Sequence, residues 1–158
     1  MALVLMGEGK AEFNGRWVSG KAALQKVGSR PIEFEAKEGL ALNNGTQQTL
    51  AIGCLALHDS YALLATAEAA LAMSLEAMNG WIDAFDKRIH DVRPHPGQRA
   101  VAGIVRTLLD ESRMVRSIGK DDPQNERPQD PYSFRCAPQV MGAVQDALDF
   151  VRRVLEIE

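Results

Sequence analysis

The chain has 158 residues, 46% of them apolar and 25% charged, with a formal charge of −3 at pH 7. These totals describe one soluble globular domain of ordinary size. They exclude the broad basic field of a nucleic-acid binder and any acidic tail. The two cysteines, Cys54 and Cys136, are too sparse for a disulfide framework and form no CxxC unit, so both read as reduced thiols of a cytoplasmic protein.

Residues 1–6 are apolar but too short for a signal-peptide core, with no basic leader or small-residue cleavage site. They read as a helix end stopped by Gly7 and Gly9. Ala11-Glu12-Phe13 and Arg16-Trp17-Val18 flank Asn14-Gly15, the strongest short hairpin signal. Ser19 can then cap a short helix that runs through Val27 and closes at Gly28. Pro31 to Phe34 reads as extended.

From Gln47 to Asn79 there is no proline, and alanine and leucine dominate. Apolar residues occupy nearly every face, which predicts a helix buried all round. At about 1.5 Å per residue it would span roughly 50 Å. A compact domain of this size is only about 40 Å across. The helix therefore belongs to an elongated bundle or to something larger than this chain. The Ala-rich run from Tyr61 to Met78 is long enough to raise the membrane question. Glu68 and Glu76 inside it would be costly at bilayer depth, so the run is assigned to a protein core and no membrane partner is expected. Gly80 ends the helix.

Trp81 to Arg93 reads as irregular or weakly helical, and Pro94-His95-Pro96-Gly97 as a turn. A second helix is expected from about Gln98 to Ser117, with Val101, Ile104, Val105, Leu108 and Leu109 as its apolar stripe. Gly119 to Asp130 reads as a flexible polar loop, with Asp121-Asp122 a solvated pair. Pro138 suits the first turn of a third helix, on which Met141, Val144, Leu148, Val151 and Leu155 recur at helical spacing. No repeat or low-complexity tract is visible. The fold class is mainly α, a long-helix bundle with one small β-hairpin near the N-terminus. The division expected is a hairpin-containing region over 1–36 and a helical bundle over 37–158, within a single segment.

Some residues carry chemistry. Asn44-Gly45-Thr46 matches a glycosylation acceptor, but without a secretory signal the match reads as accidental. By themselves Asn44-Gly45 form a turn before a helix, and Tyr132 and Arg135 cover the start of the third helix. His90 and His95 with Asp91 are a weak metal pattern, so no metal ligands are assigned; burial with a backbone hydrogen bond is the expected state.

Three segments stand out together. They are Lys37 to Gln47 (KEGLALNNGTQ), Phe85 to Gln98 (FDKRIHDVRPHPGQ) and Gln129 to Val140 (QDPYSFRCAPQV). Each resembles a signature of the aromatic amino acid ammonia-lyases and aminomutases, in the family's order and spacing. The resemblance covers essentially the whole chain, and the second segment leans towards histidine ammonia-lyase. It implies elimination of ammonia from L-histidine to give urocanate. No external cofactor is implied, because the family makes a methylidene-imidazolone electrophile from an Ala-Ser-Gly tripeptide. It also implies that Asn44 and Tyr132 belong to the catalytic constellation and that Gln129 and Arg135 bind substrate. A guanidinium fork meets a carboxylate through two parallel hydrogen bonds, which gives the Arg135 role its physical basis. The family's tetramer, with pockets built from several subunits, implies a homo-oligomer or a second chain.

The chain holds no Ala-Ser-Gly; Val18-Ser19-Gly20 comes nearest, in a hairpin context. The resemblance therefore predicts an interior slice that is inactive alone. Phenylalanine or tyrosine ammonia-lyase, an aminomutase, and a non-catalytic assembly module remain the alternatives.

Overall fold

The structure is a computed structural model and describes residues 2–118 and 129–158. The flexible loop expected over 119–130 lies outside the described residues except for Gln129 and Asp130. The chain divides into two compact units, Met1–Ala51 and Ile52–Glu158.

In the first unit, helix α1 (Ala2–Leu5) precedes strands β1 (Lys10–Phe13) and β2 (Arg16–Ser19), which pair antiparallel with Phe13 opposite Arg16. Asn14 and Gly15 turn the hairpin with φ of 50° and 75°. Both central residues are left-handed, as a two-residue turn matched to strand twist requires. The Ser19 hydroxyl accepts from Ala22 N at 3.3 Å and caps α2 (Gly20–Lys26). Gly28, at φ +72°, turns the chain away behind it. Helix α3 (Glu38–Asn44) follows the extended segment.

Helix α4 (Gln47–Ala77) crosses from the first unit into the second. Expected to be buried all round, it is not. Burial is confined to Leu64, Glu68, Leu71, Ala72 and Leu75, one stripe at helical spacing. Ile52, Leu55, Leu63 and Met73 are 60–71% exposed. An apolar run reports how much surface could be buried, and this chain alone supplies neighbours for a single face. By length and composition, Glu38–Ala77 is also the one helical stretch among the described residues apolar enough to cross a membrane. Glu68 interrupts that run, and its burial pushes the carboxyl pKa up.

The second unit continues with a 3₁₀ turn (Ile82–Phe85), α5 (Lys87–Asp91), α6 (Pro96–Leu108), α7 (Tyr132–Arg135) and α8 (Ala137–Ile157). Pro96 begins α6 two residues before the expected start, because its missing N–H falls where a helix has no partner to offer. The helix ends at Leu108 rather than Ser117. Beyond it the chain is drawn into a parallel bridge between Trp81 and Arg116, with Arg116 N donating to Gly80 O at 2.8 Å and Ile82 N to Arg116 O at 2.9 Å. These long-range bonds replace the helical ones that residues 110–117 would have made.

The core joins Leu71, Ala72, Leu75, Phe85, Val105, Leu109 and Ala137, with Phe134 and Met141 packed against it. Of the expected α6 stripe, Val101, Val105 and Leu109 are buried, whereas Ile104 and Leu108 are not. Helices α6 and α8 meet backbone to backbone. A Cβ at Gly97 would lie 2.1 Å from Gly142 O, and one at Gly142 would lie 2.3 Å from Gln98 N. Asp146 Oδ1 accepts from Gly97 N at 2.8 Å and closes the α6 N-terminus. Tyr61 donates to Asp149 Oδ1 at 2.5 Å, tying α4 to α8.

His90 is buried, with Nε2 3.1 Å from Ala84 O and Nδ1 2.9 Å from the Gln98 amide nitrogen. The carbonyl can only accept and the amide N–H donates, so the ring is the neutral Nε2–H tautomer. Burial lowers its pKa below the usual 6.5, and Arg106 adds to this; the Ala84 bond, Asp86 and Asp91 oppose it. The sign follows. Below 6.5 the unfolded ring binds a proton that the folded ring refuses. This contribution is therefore complete above 6.5 and is lost as pH falls through the folded pKa. His90→Gln should flatten the stability change between about pH 7 and pH 5, followed by urea unfolding at each pH. An identical pH slope in the variant would show that His90 does not carry it.

Candidate functional site

The region around α7 is built by three pieces of the second unit: the Gly80–Trp81 turn, the 3₁₀ turn with α5, and the segment from Gln129 into α8. They line an open cavity of about 410 Å³ whose lining includes Trp81, Ile89, Gln129, Asp130, Arg135 and Cys136. Pro131 starts α7 from extended backbone and Cys136 ends it at φ −97°, so the chain kinks before α8 begins. The kink sets Arg135 beside the residues that precede the helix. Its Nε donates to Asp130 O at 2.6 Å, and its guanidinium carbon stands 4.5 Å from the centre of the Tyr132 ring. That stacking is a cation–π contact.

Gln129 and Arg135 thus line the same cavity. Tyr132 stays 71% exposed and outside the lining, in contact with Arg135. Asn44 ends α3 in the first unit, exposed. A planar cation, an amide and apolar walls formed by Trp81 and Ile89 suit a small molecule with a carboxylate and an apolar or aromatic body.

Motif reading passed over Asp130 as a functional residue, although it stands between Gln129 and Pro131. It is only 2% exposed, and its Oδ2 accepts from Trp81 N at 2.6 Å. Trp81 and Cys136 were likewise not named as lining residues. Only the tertiary contacts identify them: the bond from Trp81 N to Asp130 Oδ2 and the cavity that Trp81, Asp130 and Cys136 share.

Val18-Ser19-Gly20 does not fit an electrophile precursor. The Ser19 hydroxyl is engaged by Ala22 N, and Gly20 N donates to Gly9 O at 3.1 Å. A Cβ on Gly20 would lie 2.2 Å from Glu8 O, so this junction is closed against its own backbone.

The sequence model described as aromatic amino acid lyase matches residues 1–158. A histidine ammonia-lyase of Sorangium cellulosum is 50% identical over all 158 residues. One from Caldanaerobacter subterraneus subsp. tengcongensis is 44% identical over the same length. In each comparison the chain spans 30% of the relative's length. Among solved structures, a tyrosine aminomutase from Streptomyces globisporus is 35% identical, with a TM-score of 0.81 over 99% of this chain and 32% of its own.

Proposed function

The chain belongs to the aromatic amino acid lyase family, and from that premise we propose that it is the segment of a histidine ammonia-lyase that binds the substrate carboxylate. The observation that carries this reading is the shared cavity of Gln129 and Arg135, with the guanidinium oriented by Asp130 and Tyr132. Identity of 44–50% to histidine ammonia-lyases supports the choice of substrate. In the reaction L-histidine loses ammonia and becomes urocanate. Arg135 holds the carboxylate, Gln129 lines the same pocket, Tyr132 stacks on Arg135 from outside that lining as a member of the catalytic constellation, and Asn44 hydrogen-bonds beside the electrophile. The electrophile that the family forms from Ala-Ser-Gly comes from outside these residues, consistent with the closed Val18-Ser19-Gly20 junction. Isolated, the chain is inactive.

The exposed apolar flank of α4 supports assembly. Fully burying one Leu or Ile contributes roughly 1.5–3 kcal/mol, so a flank carrying Ile52, Leu55 and Leu63 favours association with further copies or with a chain bearing the missing parts. The proposed location is cytoplasmic.

The likeness to an aminomutase favours a second reading, the same site acting on tyrosine or phenylalanine. One experiment separates the two. The chain is combined with a partner polypeptide that carries Ala-Ser-Gly, and the assembly is offered L-histidine, L-tyrosine and L-phenylalanine. Urocanate from histidine alone supports the first reading. Cinnamate-type or β-amino acid products support the second. No product from a tetramer of correct mass would leave only an assembly role.

A further inference from the structure

We propose that Asp130 is the positioning residue for Arg135, and that it thereby dictates which edge of the guanidinium receives the substrate carboxylate. This rests on the reading of Arg135 as the carboxylate ligand. An arginine on a short helix such as α7 has four rotatable bonds and would otherwise sample many orientations. Two contacts remove that freedom. The Asp130 carbonyl takes the Nε–H at 2.6 Å, and the guanidinium carbon lies over the Tyr132 ring, 4.5 Å from its centre.

The carbonyl is in turn held by its own side chain. Asp130 Oδ2 accepts from Trp81 N at 2.6 Å, in a residue 2% exposed. Trp81 belongs to the turn bridged to Arg116, whose N–H is bonded to Gly80 O. Gly80 leaves room for this carboxylate, since a Cβ there would stand 3.1 Å from Asp130 Oδ2. A continuous set of bonds therefore runs from the end of α4 through Trp81 and Asp130 to the guanidinium.

A carboxylate can meet arginine side-on, through Nε and one Nη, or end-on, through both Nη groups. With Nε–H given to Asp130, the end-on edge is the one offered to the cavity. The substrate then docks with its carboxylate in the guanidinium plane, a direction fixed by the backbone before it arrives.

The test reads the Arg135 Nε–H resonance by ¹⁵N NMR in the 158-residue chain, with no substrate present. The wild-type proton should exchange with water at least about tenfold slower than that of free arginine, as a hydrogen-bonded N–H does. Asp130→Asn keeps an acceptor for Trp81 N and should retain that protection. Asp130→Ala should lose it. In the assembled lyase, Asp130→Ala should raise KM for the amino acid about tenfold with kcat little changed, the pattern of binding lost equally from ground and transition states. Free exchange in the wild type or in Asp130→Asn would overturn the proposal, whether or not Asp130→Ala folds. So would a folded Asp130→Ala chain with a protected proton or an unchanged KM. Failure of the lyase reading shows separately, as an assembly that turns over no amino acid while the NMR signature persists.

Discussion

Replacing Gly142 by alanine is expected to lower the stability of the second unit by about 3 kcal/mol. An added methyl would lie 2.3 Å from Gln98 N, 2.5 Å from Gln98 Cα and 2.7 Å from Gly97 C. All three are backbone atoms, so no rotamer change relieves the overlap, and α6 must move off α8. That movement would break the bond from Gly97 N to Asp146 and disturb Gln98, whose side chain serves His90. The gain of up to about 1 kcal/mol from replacing a helical glycine by alanine is outweighed. Gly103→Ala is the matched control. It lies on α6 with only the flexible end of Arg106 nearby, at 3.7 Å, so the same change should stabilise by about 0.5–1 kcal/mol. Urea midpoints at unchanged slope measure both. If the two variants shift stability in the same direction, the close helix crossing is not what constrains Gly142.

Arg135→Lys in the assembled lyase should lose about 100-fold in kcat/KM. Hydrogen bonds to charged groups contribute about 1.5–3 kcal/mol, which corresponds to roughly 10- to 150-fold. Lysine keeps the charge but lacks the planar fork and the Nε–H donated to Asp130. It also loses the guanidinium's contact over the Tyr132 ring. Because no residue of α7 is fully buried, the variant should fold, which circular dichroism checks. A kcat/KM within threefold of wild type, in a folded assembly, would mean that Arg135 does not hold the substrate. The smaller loss expected for Asp130→Ala, about tenfold and confined to KM, would link the two residues in one binding unit.

Several elements were legible because their causes are local. The Asn14-Gly15 turn, the Ser19 cap, and the proline opening α8 each act within four residues of themselves. The resemblance segments also located Gln129 and Arg135, which share a cavity, and Tyr132, which stacks on Arg135. Asp130 is not legible as a buried residue because it ends a stretch that reads as a flexible polar loop. Its burial depends on Trp81, 49 residues away along the chain.

Composition, periodicity and turn residues by themselves determined the helical class, the hairpin, and the existence of the long helices. Propensity, capping and turn chemistry are properties of short stretches. Only the tertiary structure decided that α6 stops at Leu108, that α4 buries one stripe and exposes the rest, that Gly97 and Gly142 let two backbones touch, and that the Arg135 Nε–H meets the Asp130 carbonyl. Each of these depends on groups distant in sequence meeting in space. Which face a helix buries, and which polar group finds a partner, is fixed by the neighbour that arrives rather than by the residues that wait for it.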